Sequence, residues 1–451
     1  MKTSNFVKIL MVALVALMAC QAAFAQVTPY AVAPTAAPGH VRPHVWASGT
    51  TMPLAKPSVS GIVPLALPGF CSVPPTPPAT GSFEYCPNNF QTVYGVNSIP
   101  SGNGGAGRKI AIVDAFHYAG AENDLNLFSA LLGLPACTVA SGCLTIVGQT
   151  GGAPPPTTVP PTLDTKTWEL EEMLDLEYAH AMAPNAKLVM VECNSDSGND
   201  LFTGVQTGTA LADIVSNSWG GGEDGSETSF DFVFSTNNKP VFFSSGDSGT
   251  PAQYPCTSPH VTCVGGTTLN VNTSYVRTTE TGWSGSGGGC SAFEPAVFWQ
   301  NPIPASAVVT VASNCTNGVS PTRAVPDIAA AANPATGAAV IDLGRDSTHY
   351  IGVGGTSLAC PLMAGLFADI MTARATFGLP QLDNNINLAI YAAAIRNYTY
   401  FFYDVTVGNN GLPAGPDYDL VTGLGVPKGS AMGNRFFGLV YVLPPPPPSG
   451  D

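Results

Sequence analysis

The sequence predicts an α/β fold with a mostly parallel central sheet flanked by helices. Three observations carry this. Short apolar strands recur between residues 109 and 245, each followed by Gly, Asp or Ser. An acid-rich helical stretch, residues 168–182, lies among them. The chain is 45% apolar, enough for a sizeable core, and only 10% charged, against a usual fraction of roughly a quarter. Strands that alternate with helices pair in parallel and are covered on both faces.

Taken in order, the chain first shows Lys2 and Lys8, then an apolar run from Ile9 to Cys20 and the small-residue site Ala23-Phe24-Ala25. This reads as a secretory signal, residues 1–25, with Gln26 starting the mature chain. The run is short for a membrane span. Leu17-Met18-Ala19-Cys20 also loosely resembles a lipoprotein processing site. No later stretch reads as a membrane span, so the mature chain is expected to be secreted, extracellular or periplasmic. Residues 26–84 are rich in Pro, Ala, Val and Thr without a sustained period. They read as an extended arm lying on the main domain, or as a linker. The main domain is placed at residues 85–440. Its first strand, residues 109–114, ends on Asp114, and a Gly/Pro/Thr insert covers 149–165. The acidic helix follows, then strands at 186–191, 212–218 and 240–245. Residues 441–451 form a Pro-rich tail. In such sheets the site lies outside the carboxyl ends of the strands. Asp114, Ser218 and Asp247 all sit there.

The net charge of −14 argues against a nucleic-acid partner, because phosphate contacts need Lys and Arg. Of eleven cysteines, Cys20 lies in the signal. Spacing suggests Cys137 with Cys143 and Cys256 with Cys263. Cys71 with Cys86 and Cys290 with Cys315 are looser pairings, and Cys193 and Cys360 read as free core thiols. No C-x-x-C spacing suggests zinc. The chain reads as a monomer.

Gly354-Gly355-Thr356-Ser357-Leu358-Ala359-Cys360-Pro361 places a serine after two glycines at the head of an apolar helix. The glycines permit a tight turn and a close approach of substrate. A helix N-terminus offers free N–H groups to a developing oxyanion. A serine there is by itself more often an N-cap, but the string G-T-S-x-x-x-P is far more specific. Glu171 and Asp175, at i and i+4, share a helix face. Two carboxyls side by side in a buried setting raise one another's pKa and can share a proton. The bland alternative is a solvated acidic face.

The Ser357 string resembles the nucleophile region of subtilisin-like peptidases, but none of the six His residues lies in a matching base motif. The strings Glu171 to Glu177, Ala183-Pro184-Asn185-Ala186, Ser218-Trp219-Gly220-Gly221-Gly222, Ser245-Gly246-Asp247-Ser248-Gly249, Val264-Gly265-Gly266-Thr267, Gly288-Gly289-Cys290-Ser291 and Val325-Pro326-Asp327 resemble the sedolisins, or serine-carboxyl peptidases. The order agrees from about residue 85 to 432. The resemblance implies a subtilisin-like three-layer fold and an acid-active peptidase, endopeptidase or tripeptidyl-peptidase, acting on polypeptide substrates. It implies Glu171 as base, Asp175 as its partner, Ser357 as nucleophile and Asp247 at the oxyanion. It also implies one structural Ca2+, held by the side chains of Asp404 and Asp419 and the carbonyls of Val405, Gly415 and Asp417. The family usually has Gly where Asp417 stands. It also usually carries a large folded pro-region, where this chain has only the arm. Asp114 reads either as a support that hydrogen-bonds to Glu171 or as a strand-end cap, and Ser218-Trp219-Gly220 is expected to form an edge that pairs with extended substrate. His180 is expected to pack. Rival readings are a histidine-based subtilase using His117 or His180, a chymotrypsin-like serine in Gly246-Asp247-Ser248-Gly249, and a catalytically idle surface binding protein on the same fold.

Overall fold

The computed structural model describes residues 39–53, 85–155, 163–272, 274–300, 315–347, 349–434 and Phe437. The expected signal, most of the Pro-rich arm, Cys71 and the tail lie outside the described residues.

An eight-stranded sheet forms the centre. Its order is Arg277–Gly282, Thr262–Val271, Val241–Ser244, Ile214–Asn217, Lys109–Ala115, Lys187–Cys193 and Leu144–Gly148, with Ile328–Ala331 also paired to Thr262–Val271. Every pairing is parallel except that of Arg277–Gly282. The strands found at 109–115, 187–193, 214–217 and 241–244 match the expected ones to within one or two residues.

Alternation along each strand splits the core in two. Ile110, Ile112, Leu188 and Met190 point to one face, where the helices Leu163–Met182 and Thr356–Thr376 pack. Ala111, Val113, Val189 and Val191 point to the other and meet Leu201 and Val205 of the helix Gly198–Leu211. Strands buried on both faces explain the near-continuous apolar runs in the sequence. The two helices on the first face approach closely because Gly365 lacks a side chain. A Cβ there would lie 2.6 Å from Met182 Cβ and 3.0 Å from the Ala179 carbonyl oxygen.

The helix Leu163–Met182 starts earlier than expected, and it is not a solvated acidic face. Residues 170–183 are buried without a break. Its acids are therefore inside the protein, and that alone changes their chemistry.

Disulfides join Cys137 to Cys143, Cys256 to Cys263 and Cys290 to Cys315. Cys86 is also disulfide-bonded, to a partner outside the described residues. Cys193 and Cys360 are free and buried, as expected. Asp327, from one of the motifs, is a structural residue. It is wholly buried and pairs with buried Arg323 at 2.6 Å, while Tyr391 Oη and the Cys263 N–H also donate to it.

Candidate active site

Gly355 precedes the helix Thr356–Thr376 with φ +110°, a conformation that favours glycine. The turn sets Ser357 in the first turn of the helix, wholly buried. Its hydroxyl donates to the Ser218 carbonyl at 3.2 Å. Four residues on, Pro361 lies inside the helix. Having no N–H, it cannot bond the Ser357 carbonyl as a helix normally requires. That carbonyl instead faces the Ser218 hydroxyl at 3.4 Å.

Glu171 and Asp175 come from the neighbouring helix, and both are fully buried. Ser218 Oγ donates to Asp175 Oδ1 at 2.8 Å, whereas Asp175 Oδ2 and both Glu171 oxygens have no hydrogen-bond partner among the described residues. Both carboxyls are pushed well above the usual range. Burial is the main cause, joined at Glu171 by the charges of Asp175, Asp114 and Asp247 and at Asp175 by that of Asp114. The Ser357 hydroxyl opposes the shift at Glu171. It lies near this carboxyl, but its formed bond is the one to Ser218.

Asp114 ends the first strand and is fully buried, with both oxygens unpartnered. The expected hydrogen bond to Glu171 is absent. Asp114 acts on its neighbours through charge alone, and burial next to Glu192 raises it to about 8. Glu172 and Glu192, neither of them marked by spacing or motif, join the cluster. They share a side-chain hydrogen bond, and burial raises both. His117 closes the series, its Nδ1 lying 2.6 Å from Glu192 Oε2. His180 is buried, with Nε2 at 2.8 Å from the Pro135 carbonyl oxygen. Thus His117 and His180 each face another partner, and Ser357 has a carboxyl beside it.

Asp247 lies across from the helix head. Its Oδ1 accepts from the Thr356 N–H at 2.7 Å and from Thr356 Oγ1 at 2.9 Å. Burial pushes its pKa up to about 8, against the opposing effect of Thr356 and the Trp46 indole.

The arm residues 39–53 enter the same place. Arg42–Pro43 pairs antiparallel with Trp219–Gly222, the edge expected to take a substrate. The His44 carbonyl oxygen accepts from the Ser357 N–H at 3.2 Å, and the His44 N–H donates to the Ser218 carbonyl at 3.0 Å. The His44 ring is buried, with Nδ1 at 2.7 Å from Ser244 Oγ and a further bond to Gln253; burial lowers its pKa to about 4.

Of the expected metal residues, Asp404 and Asp417 lie together beside Tyr398, and Gly415 contacts Asp419. Tyr398 Oη donates to Asp404 Oδ1 at 3.0 Å and lies 3.2 Å from the Asp417 carbonyl oxygen. The Asp417 N–H faces Asp404 Oδ2 at 3.3 Å, and the Gly415 N–H faces Asp419 Oδ2 at 3.2 Å. The charges of Asp404, Asp417 and Asp419 all act on the Tyr398 hydroxyl.

Residues 164–398 match the subtilase family. The chain is 32% identical to kumamolisin of Bacillus sp. (strain MN-32) over 364 residues, covering 73% of this chain and 60% of that protein. It is 31% identical to sedolisin of Pseudomonas sp. (strain 101) over 187 residues, covering 39% of this chain and 28% of that one. The chain thus spans less than two thirds of the length of these relatives. Its fold matches the solved structure of Pseudomonas sedolisin, a serine-carboxyl proteinase, complexed with two molecules of pseudo-iodotyrostatin. The TM-score is 0.63 at 24% identity, covering 79% of this chain and 98% of that one.

Proposed function

Because this chain belongs to the subtilase family, in its sedolisin branch, we propose that it is a secreted serine-carboxyl peptidase that hydrolyses polypeptides in acid. The observation that carries the reading is Ser357 at a helix head beside two buried carboxyls, Glu171 and Asp175, with Asp247 facing the same helix end.

In this reading Ser357 Oγ attacks the carbonyl carbon of a peptide and its proton passes to Glu171. Asp175, held by Ser218 Oγ, shares the charge and orients its partner. Two such carboxyls cannot both ionise cheaply when buried together, so one proton stays with the pair. The carbonyl oxygen becomes an oxyanion beside the Ser357 N–H and Asp247. An acid donates a hydrogen bond there only while protonated, and Asp247 at about 8 keeps its proton in acid. Glu171 returns the proton to the leaving amine. Water then cleaves the acyl ester by the same route, releasing a carboxylic acid and restoring Ser357.

The test is digestion of an unfolded protein from strongly acidic to neutral pH, with Ser357→Ala as control. Cleavage strongest in acid and absent in the control is expected, and product lengths separate endopeptidase from tripeptidyl-peptidase action. A maximum near neutrality would instead place the base on a histidine.

A structural Ca2+ belongs to the same reading. The donors are all oxygens, as this hard ion requires, and the described ion pairs include no cation on Asp404, Asp417 or Asp419. The side chains of Asp404 and Asp419 and the carbonyls of Val405, Gly415 and Asp417 would hold it. Chelation should then lower the Tm of the wild type and leave Asp404→Ala unchanged. Equal response of the two chains would remove the ion from this site.

A further inference from the structure

Beside the catalytic pair lies a group of side chains that the proposed mechanism leaves unused. Glu172 follows Glu171 on the acid helix, and Glu192 sits on the strand Lys187–Cys193, in register with Asp114 of the neighbouring parallel strand. All three are buried. Glu172 and Glu192 share a side-chain hydrogen bond. Glu192 in turn meets His117, whose Nδ1 lies 2.7 Å from Oε1 and 2.6 Å from Oε2. His117 is the outer end of the series, with its side chain 17% exposed against 0% for Glu192. At the inner end, Glu172 Oε1, both oxygens of Asp114 and both of Glu171 have no hydrogen-bond partner among the described residues. The charges of Glu192 and Asp114 act on Glu172, and that of Asp114 acts on Glu171. Titratable groups thus run without a gap from a partly exposed ring to the base.

A structural ion pair would need one acid. Here two more, Glu172 and Asp114, are buried beside it, and among the described ion pairs that of His117 is the one on this series. Glu169 adds a further acidic charge at Glu172, and Asp200 acts with Asp114 and Glu192 on the neighbouring Cys193 thiol. Apolar side chains of similar size would cost the fold less than acids buried without a cation. The turn that delivers His117 is also strained. Phe116 has φ +72°, an outlier for a bulky residue, and its N–H donates to the Cys193 carbonyl at 2.7 Å. Such strain persists where the surrounding structure over-determines it, most often at functional sites. It brings the His117 ring back onto Glu192, whose carboxyl also accepts the Tyr118 N–H.

Peptide hydrolysis in acid consumes a proton. The amine leaves neutral, carrying the proton that Ser357 gave to Glu171, and becomes an ammonium ion by taking one more. We propose that His117, Glu192 and Glu172, with Asp114 as the inner step, form a relay that returns this proton from solvent to the Glu171–Asp175 pair. This rests on the peptidase reading above. The ammonium product takes its extra proton from the pair, which is left one short. The His117 ring gives the proton on Nδ1 to Glu192 and takes another from solvent, a shuttle role suited to imidazole. Glu192 passes its proton to Glu172 along their shared hydrogen bond. Asp114, with neither oxygen tied to a donor, turns to take it from Glu172 and hand it to Glu171. The count closes with one solvent proton taken up and one ammonium ion released. The relay residues act through Glu171 and not on the substrate.

Wild type, His117→Gln and Glu192→Gln are assayed on unfolded casein in acid, first in dilute buffer and then with rising imidazolium. The glutamines keep a hydrogen-bonding amide in place but pass no proton. His117→Gln should lose roughly 10²-fold in kcat with KM unchanged, and imidazolium should restore it by feeding Glu192 from solvent. Glu192→Gln should lose as much and regain nothing, because its break lies inside the protein. Wild-type kcat should not depend on imidazolium. A loss in His117→Gln that imidazolium leaves unmoved would make the His117–Glu192 contact a brace only and overturn the relay, and so would a wild-type rate in either variant. The wild type carries the test even where a variant does not fold, since a wild-type kcat that climbs with imidazolium would show that no internal relay supplies the pair. If the wild type digests casein and Ser357→Ala does not, the peptidase reading stands whatever the variants do. If the wild type is inert at every acid pH, both are refuted.

Discussion

An acid can steady an oxyanion only while it holds its proton, which ties Asp247 to pH more directly than any other residue of the site. Asparagine offers the test. Its Oδ1 can keep the two bonds from Thr356, and its amide can donate at any pH. Asp247→Asn should therefore retain much of the acid activity and differ from the wild type in pH dependence only above about pH 8, where the acid gives up its proton. Asp247→Ala should lose about 10²–10³ in kcat at acid pH, where the side chain it replaces holds its proton. An Asn variant as weak as Ala, measured by kcat against pH, would remove Asp247 from the oxyanion. At this scale the sequence was informative where spacing carries the chemistry. Glu171 and Asp175 share a face because they are four apart, and Ser357 follows two glycines. Asp114 was marked only by its place at a strand end, and Glu172 and Glu192 were not marked at all. Their grouping comes from two adjacent strands and a helix meeting at one end of the sheet, and no local pattern encodes it.

That meeting depends on how closely two helices approach. Gly365 in the Ser357 helix faces Ala179 and Met182 of the acid helix. In an exposed helix, Gly→Ala gains about 1 kcal/mol from propensity. Here the added carbon meets a backbone carbonyl and a Cβ, neither of which can swing aside, so overpacking should outweigh the gain and cost about 1–3 kcal/mol. Gly365→Ala should lower the Tm, and also kcat, since the same shift moves Glu171 from Ser357. A raised Tm would mean that the helices part freely and that their spacing does not set the site. The strands were legible because parallel strands buried on both faces read as short apolar runs. The acid helix was legible as a helix but not as a buried one: its acids argued for solvent, and only the layer packed over it reverses that. The arm was least legible. Its strands form by pairing with residues far along the chain, Arg42 with Gly220 and Ala47 with Val353. Pro-rich composition says nothing about such partners.

Collected over the molecule, the buried acids set how stability varies with pH. Asp114 and Asp247 are raised to about 8, and burial also raises Glu171, Glu172, Asp175 and Glu177. A carboxyl with a folded pKa above its unfolded value binds more protons in the folded state. Its contribution is full below the unfolded value, about 4, and is lost as pH rises through the folded value. Two buried histidines act in the opposite direction. His44 and His180 are lowered, so their contribution is full above about 6.5 and fades as pH falls toward the folded value. Six acids outweigh two histidines, so the fold should be most stable near pH 4–5 and weaken steadily toward pH 8, the reverse of ordinary acid denaturation. Calorimetry on full-length Ser357→Ala, which lacks the proposed nucleophile and so does not digest itself during the scan, measures this directly. A Tm that rises from pH 5 to 8 would show that the cluster stays ionised in the folded protein. The charge-sharing assigned to Glu171 and Asp175 would then fail with it.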